Sequence, residues 1–197
     1  MTGAWRRAAY LLAAVTICSS AVVLAHSDEP GAAPGKESPQ ALLLKQADAK
    51  LDKVGCPTAC RMTLRLDQAR ILQLVPTLQA RGLVSHSITP AEVSGHPFYF
   101  ANAIALLLAS DAVRETYEAD DGVNTSRWQV MLSHVTDSGA EAANEMFSFD
   151  FDRALYRQTD WDRLVFVHFP QLSQRFSYNL WLTARTAREM SGNIDDD

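Results

Sequence analysis

One segment in the second half of the chain constrains the fold more than any other, because its side chains alternate strictly in character. Aromatic and polar residues follow one another in the order Phe147, Ser148, Phe149, Asp150, Phe151 and Asp152. Successive side chains of a β-strand point to opposite faces, so the segment predicts a strand with one buried face and one wet face. Helix is an alternative for residues 139–157, since the preceding sequence GAEAANEM favours a helix.

Two flanking segments have the same strand-like character. The sequences WQVMLSHVT, which starts at Trp128, and RLVFVHF, which starts at Arg163, are rich in aromatic and β-branched residues. Clusters of turn-forming residues at 137–139 and 158–160 separate the three segments. Together they predict an antiparallel meander of about three strands.

The region before the meander carries helix signals. Thr89, Pro90 and Glu92 form a capping-box sequence, in which the Thr89 hydroxyl and the Glu92 carboxylate each accept a hydrogen bond from the other residue's backbone. The longest apolar segment, residues 98–109, follows directly. It is too short to cross a bilayer and predicts a buried central helix that continues to about Tyr117.

Spacings of three and four residues predict three further helices, which begin at Ser38, Asp67 and Pro170. The first continues to Gly55, and Pro76 kinks or divides the second. Apolar residues four positions apart mark the last helix: Leu172, Phe176, Leu180 and Ala184. With a short strand at residues 62–66, we expect an α+β fold of N-terminal helices, the meander and a C-terminal helix. A mainly α fold is the alternative.

The first 25 residues have the pattern of a secretory signal peptide. Arg6 and Arg7 precede an apolar run at residues 8–25, and this run ends in the small-residue cleavage sequence Val23-Leu24-Ala25. We expect cleavage after Ala25 and a periplasmic or secreted protein. The alternative is an uncleaved anchor, in which residues 8–25 hold the protein to the inner membrane.

The remainder divides into a flexible Pro/Gly linker at 26–37, a single globular domain at 38–190 and an acidic disordered tail at 191–197. Without the leader, 172 of the 197 residues remain, which is enough for one good core and too few for two ordinary domains. It carries 18 basic residues against 23 acidic ones, for a formal net charge of −5. Because this charge repels phosphates, we expect no nucleic-acid partner.

The cysteines predict a disulfide. Without the leader, Cys56 and Cys60 are the only cysteines in the sequence, and an exported protein matures in an oxidising compartment. Residues four apart on a helical turn are close enough for the bond. Closing so short a loop restrains little chain entropy, so its expected role is to join the first helix to the strand that follows.

The sequence Cys56-Pro57-Thr58-Ala59-Cys60 also resembles, over these five residues, the copper-binding loop of the Sco-type thioredoxin-fold chaperones. The resemblance implies a redox or copper-handling function for the cysteine pair. It also implies a distal histidine ligand, for which His134 and His168 are the candidates.

Other signals for metals and cofactors are missing from the sequence. The five histidines include no pair two or four residues apart, and no glycine-rich nucleotide-binding motif occurs, so we expect no cofactor. His134 and His168 both fall in predicted strands, and they approach each other if these strands share a sheet face.

Aspartates define the candidate binding surface. Asp150 and Asp152 project from one strand face about 7 Å apart, and Asp160 and Asp162 follow beyond the next turn. With Ser148, these acids predict a wet face that attracts a basic partner protein. A hydrolase that uses Asp150 and Asp152 as paired carboxylates is a more distant alternative.

Export, a single domain, an acidic balance and the lack of a catalytic motif favour a non-enzymatic envelope protein that works by binding another protein. An immunity protein or inhibitor that acts on a toxin, and an accessory subunit of an envelope complex, both fit this description. The opposed hypothesis is the redox or copper-handling protein built on Cys56 and Cys60.

Overall fold

The computed structural model describes residues 38–56 and 59–191. The predicted signal peptide or anchor at 1–25 and the linker at 26–37 lie outside the described residues. The predicted tail does so as well, except for Ser191. The division of the chain into these segments therefore stays a prediction.

The described residues form an α+β fold, as predicted. Its elements in chain order are α1 (Pro39–Gln46), β1 (Lys50–Val54), β2 (Ala59–Asp67), α2 (Gln68–Leu72), α3 (Val75–Ala80), α4 (Pro90–Gly95), α5 (Pro97–Ala119), β3 (Thr125–Val135), β4 (Glu141–Asp152), α6 (Arg153–Gln158), a 3-10 helix (Phe166–His168), α7 (Phe169–Leu172), β5 (Gln174–Tyr178) and α8 (Leu180–Met190).

The strands form one five-stranded sheet with the order β1-β2-β3-β4-β5. β2 and β3 are parallel, and the other neighbours are antiparallel. Parallel neighbours need a long connection, which α2 to α5 supply. β3, β4 and β5 form a three-stranded antiparallel meander, but its third strand is Gln174–Tyr178 and not the predicted segment 163–169.

The sheet has an inner face, packed against helices, and an outer face. α5 runs along the inner face: the Phe98 ring lies 5.2 Å from the His134 ring at one end of β3. At the other end, the Tyr117 hydroxyl lies 2.8 Å from the Ser126 hydroxyl and donates to the Phe151 carbonyl. The central apolar segment is therefore the buried core helix that the sequence predicts.

Two charged side chains hold the ends of α5. Both carboxylate oxygens of Glu189, on α8, accept hydrogen bonds from backbone N–H groups in the first turn of α5. The buried guanidinium of Arg153 donates to the carbonyls of Tyr117, Asp120 and Val123 at the opposite end. Free N–H groups at a helix start favour an anion and free carbonyls at its end favour a cation, so these contacts fix the helix between sheet and α8.

Several local predictions are confirmed. The Thr89 amide donates to Glu92 at 2.7 Å and the Glu92 amide donates to the Thr89 hydroxyl at 3.3 Å, which completes the capping box and lowers the pKa of Glu92. Asp67 caps α2, and the predicted second helix is divided into α2 and α3, with Pro76 in the first turn of α3. The 139–157 segment is strand β4 up to Asp152, followed by the short helix α6.

The prediction of one helix from Ser38 to Gly55 is wrong in its second half. Helix α1 ends at Gln46, and Asp48 has a φ of 50°, which a continuous helix cannot contain. Residues beyond it form β1, whose Leu51 pairs with Leu64 of β2. Pairing with a neighbouring strand has overridden the helical spacing of the apolar residues.

The last predicted strand and the start of the last predicted helix are also wrong. Residues 163–169 form a turn and the 3-10 helix, because Phe166 and Phe169 are three apart and both buried, which suits a helical turn. The predicted helix from Pro170 instead begins with short α7 and strand β5. Its continuation, α8, starts after Asn179, whose side chain accepts a hydrogen bond from the Trp181 amide.

Candidate functional site

The structure places three predicted site residues together. Ser148, Asp150 and Asp152 lie on the outer face of β4, opposite to the buried phenylalanines of the same strand. Asp160 and Asp162 are not part of this face. Asp162 pairs with Arg114 of α5 at 3.3 Å, and Asp160 lies 3.6 Å from Arg163, so both belong to the helical layer.

A bulge adds two acids that the sequence reasoning missed. Val130 of β3 pairs with Phe147, whereas the next residue, Met131, pairs with Glu145, so Met146 is extra in β4. Before the bulge the outward positions are odd-numbered and after it they are even-numbered. Glu141 and Glu145 therefore share the outer face with Asp150 and Asp152, and we call these four residues the acidic stripe.

Most members of the acidic stripe have polar partners on neighbouring strands. Asp150 forms an ion pair with Arg175 of β5. Asp152 accepts from the Leu155 amide at 2.7 Å and from Gln174 at 2.9 Å, which makes it the N-cap of α6. The Glu145 carboxylate accepts from the Gln129 amide at 3.0 Å. These contacts engage Asp150 and Asp152 with different groups, and nothing in them resembles a catalytic carboxylate pair.

Basic residues occupy the other side of the outer face. Lys50 on β1, Arg61 and Arg65 on β2 and Arg127 on β3 all point outward. Arg65 pairs with Asp52 at 2.8 Å, in an arrangement where both side chains are more than half exposed. Cations thus predominate on β1 and β2 and the acidic stripe follows β4, although Arg127 on β3 is level with Asp150 and Arg175 on β5 pairs with it. A division of this kind can orient a charged partner.

An open groove of about 670 Å³ crosses one end of the sheet. Lys50 and Arg65 line one side, and Glu141 of the acidic stripe lies on the other. The groove also contains Gln68, whose Nε2 is buried without a hydrogen-bond partner among the described residues. The groove therefore connects the cations of β1 and β2 with the acidic stripe.

The Cys56–Cys60 disulfide is confirmed, with a Cα–Cα separation of 4.6 Å. Its predicted setting on a helical turn is wrong, because the bond joins the end of β1 to the second residue of β2. The adjoining Ala59 is level with Thr125 of β3, and that residue pairs with Asp152. The disulfide therefore ties two strands at the end of the sheet where the acidic stripe finishes.

The structure does not bring a distal histidine to the cysteines. Cys60 is level with Ser126 on β3, and His134 lies eight residues further along that strand, roughly 26 Å away. The His134 imidazole stacks on Trp181 and its Nε2 is 2.9 Å from the Asn144 amide. His168 is exposed and lies in the 3-10 helix, not in a strand. It therefore shares no strand face with His134, which was the condition for the two histidines to approach each other.

Within residues 38–56 and 59–191, no group of three or more His, Cys, Asp or Glu side chains is placed to hold a metal ion.

A carboxyl group outside the predicted set lies in a cavity of about 320 Å³. Asp111, near the middle of α5, shares this cavity with Arg81, Arg114 and Trp161. Burial raises its pKa to about 7, although both arginines act in the opposite direction. An acid just after the apolar segment of a predicted core helix was the sequence signal for this group.

Comparisons place the chain in no known group: it matches no protein-family model, no curated protein and no solved structure. Among the helices that the structure describes, none has the length and apolar character needed to span a bilayer.

Proposed function

We propose that the protein is exported to an oxidising compartment and works, without catalysis, by binding another protein through the outer face of its sheet. The observation that carries the proposal is the acidic stripe: four carboxylates follow one strand on the outer face, where Glu141 is exposed and the other three are partly exposed. The partner presents basic side chains to this stripe.

Charge placement supports this choice of partner. Acids of the stripe attract a basic surface and speed its association, whereas the cations on β1 and β2 oppose a second basic surface and so fix the orientation. The proposal covers both an inhibitor or immunity protein and an accessory subunit of an envelope complex, because each needs a defined protein interface.

Export is supported by the Cys56–Cys60 disulfide, since such bonds persist mainly outside the cytosol. Expression of the full chain in a bacterium, followed by intact-mass measurement of the exported fraction, tests it. We expect a chain that starts at His26 and contains the oxidised cysteine pair. A mass that retains residues 1–25, found in the membrane fraction, would favour the anchored alternative.

A photo-crosslinking residue at Ser148, in the centre of the outer face, identifies the partner in the exporting cell. The matched control carries the same residue at Gln158, which is exposed on α6 in the helical layer. We expect one protein to be crosslinked from Ser148 and not from Gln158. Equal crosslinking from both positions would contradict an interface on the outer face.

Binding kinetics with that purified partner then test the charges. The triple variant E145Q/D150N/D152N should lower the association rate constant about tenfold at low salt and flatten its salt dependence. The control D160N/D162N removes the same kind of charge from the helical layer and should bind like the wild type. If the association rate constant falls as much in the control as in the triple variant, or does not fall in the triple variant, the acidic stripe is not the binding surface.

A further inference from the structure

An apolar cleft of about 200 Å³ lies in the helical layer, on the opposite side of the sheet from the acidic stripe. Leu78 of α3, Phe100, Ala103 and Leu107 of α5 and Phe166 of the 3-10 helix contribute to its walls. No charged residue lines it among the described residues. The cleft therefore suits an uncharged, mainly apolar molecule, because an ion would lose its hydration there without compensation.

One polar group inside the cleft lacks a partner. The Asn102 side chain hydrogen bonds to the Tyr178 hydroxyl at the end of β5. Its other polar atom, Oδ1, is buried and accepts no hydrogen bond from the described residues. Buried amide oxygens are nearly always paired in folded proteins, so this oxygen marks where a donor from a ligand would be recognised.

Tyr178 controls the approach to that oxygen. Its side chain is 40% exposed and lies at the mouth of the cleft, in contact with Asn102. Burial raises the pKa of Tyr178. Because Asn102 Oδ1 is buried, a ligand in the cleft would reach it only after a turn of the Tyr178 ring.

We propose that the cleft binds a small phenol, with the ring held between α3 and α5 and the hydroxyl donating to Asn102 Oδ1. The volume favours a single ring, since a 150 Å³ apolar cavity is known to hold benzene and 200 Å³ leaves room for a substituent. A neutral phenol hydroxyl donates the hydrogen bond that Asn102 Oδ1 lacks, and it brings no charge into the cleft. This site is separate from the protein-binding face and does not depend on it.

Titration of the full chain with p-cresol and with p-methylanisole tests the proposal by calorimetry and by amide chemical shifts. The two probes share a methyl-substituted ring, but only p-cresol can donate a hydrogen bond. We expect p-cresol to bind about 3- to 10-fold more tightly, which is the usual effect of one hydrogen bond. The largest shifts should fall on Ala103 and Leu107.

Two variants and one control separate the polar contact from the cavity. Asn102→Leu should abolish the preference for p-cresol while p-methylanisole still binds. Ala103→Phe should fill the cleft and weaken both probes at least tenfold, whereas Ala91→Phe, at an exposed position of α4, should change neither. Thermal melting of each variant shows whether it has folded. If Ala103→Phe does not fold, the wild-type shift map decides the location.

Three results would overturn the proposal. They are the absence of binding by both probes, equal affinity of the wild type for both, and shifts that lie outside the cleft. A preference for p-cresol that survives in Asn102→Leu would overturn the role of the amide.

Discussion

The two faces of β4 differ in what they contribute to the molecule. On the inner face, Phe147, Phe149 and Phe151 are at most 1% exposed. On the outer face, Ser148 and Asp150 remain partly accessible, and Asp150 pairs with Arg175 of β5. Removal of apolar surface from water is the main favourable term in folding, so the inner face supplies stability and leaves the outer face free to serve a partner.

Phe149→Ala should produce the largest loss of stability. The Phe149 ring stacks on Trp128 at 5.8 Å, meets Phe169 edge-on at 5.0 Å and lies near Phe176, so its removal leaves a cavity among rings that cannot close around it. We expect a decrease of about 3–5 kcal/mol in the free energy of unfolding, measured by urea denaturation.

The neighbouring Ser148→Ala is the matched control for this variant. It changes the outer face of the same strand, and we expect a shift within about 0.5 kcal/mol. Similar losses in the two variants would show that the faces do not divide stability and binding between them.

The strict alternation of side chains made strand β4 predictable. The main error is the helix predicted across the segment that forms β5, and it arises because one residue spacing fits both a helix and a strand. A spacing of four residues fits a helix, but it is also an even number and so fits one face of a strand. Phe176 was assigned to a helix by its distance from Leu172 and Leu180, yet it shares the inner face of β5 with Tyr178. Whether such a segment forms a helix or a strand depends on the strand with which it can pair, and that strand is distant in sequence.

The candidate site was predicted in part for a similar reason. Asp150 and Asp152 follow from the alternation of β4, but Glu145 changes face at the bulge, which the sequence does not mark. Asp160 and Asp162 were assigned to the same surface because the segment after them was expected to be a neighbouring strand. That segment contains the 3-10 helix, and Asp162 consequently pairs with Arg114 of α5 while Asp160 lies near Arg163.

Asp111 places an ionisable carboxyl group in the helical layer, on the buried side of the sheet. Its pKa rises from an ordinary value of 3.8 to about 7, so the folded protein holds this proton more tightly than the unfolded chain does. The contribution of this group to stability is therefore highest below pH 4 and is lost as the pH rises to about 7. One pKa unit corresponds to about 1.4 kcal/mol, so a shift of about three units gives a total change of roughly 4 kcal/mol.

Asp111→Asn should remove this dependence. We expect the variant to be more stable than the wild type at pH 8 by roughly 4 kcal/mol, and the difference to shrink towards pH 4, when urea unfolding is measured across this range. Asp162→Asn is the control, since the Asp162 side chain is 85% exposed. A wild-type advantage at pH 8 would mean that the Asp111 carboxylate is stabilised in its cavity.

Replacement of both Cys56 and Cys60 by Ala tests the end of the sheet that the disulfide holds. We expect a loss of about 1–3 kcal/mol, in the lower part of the range for disulfides because the loop is short. Partner binding should persist, since the acidic stripe is carried by β4. Loss of binding with unchanged melting would instead make the cysteine pair the functional centre.

The triple variant E145Q/D150N/D152N should have the smallest effect on stability, within about 0.5 kcal/mol of the wild type. Asp150 is 13% exposed and its partner Arg175 is 81% exposed, and Asn at position 150 removes the charge but keeps an oxygen that can accept from Arg175. Asn is as good a helix cap as Asp, so residue 152 can still accept the Leu155 amide. Gln at position 145 keeps an acceptor for Gln129. A loss of more than about 1 kcal/mol in urea denaturation would show that the outer face supports the fold, and slower association by this variant would then no longer isolate the effect of charge.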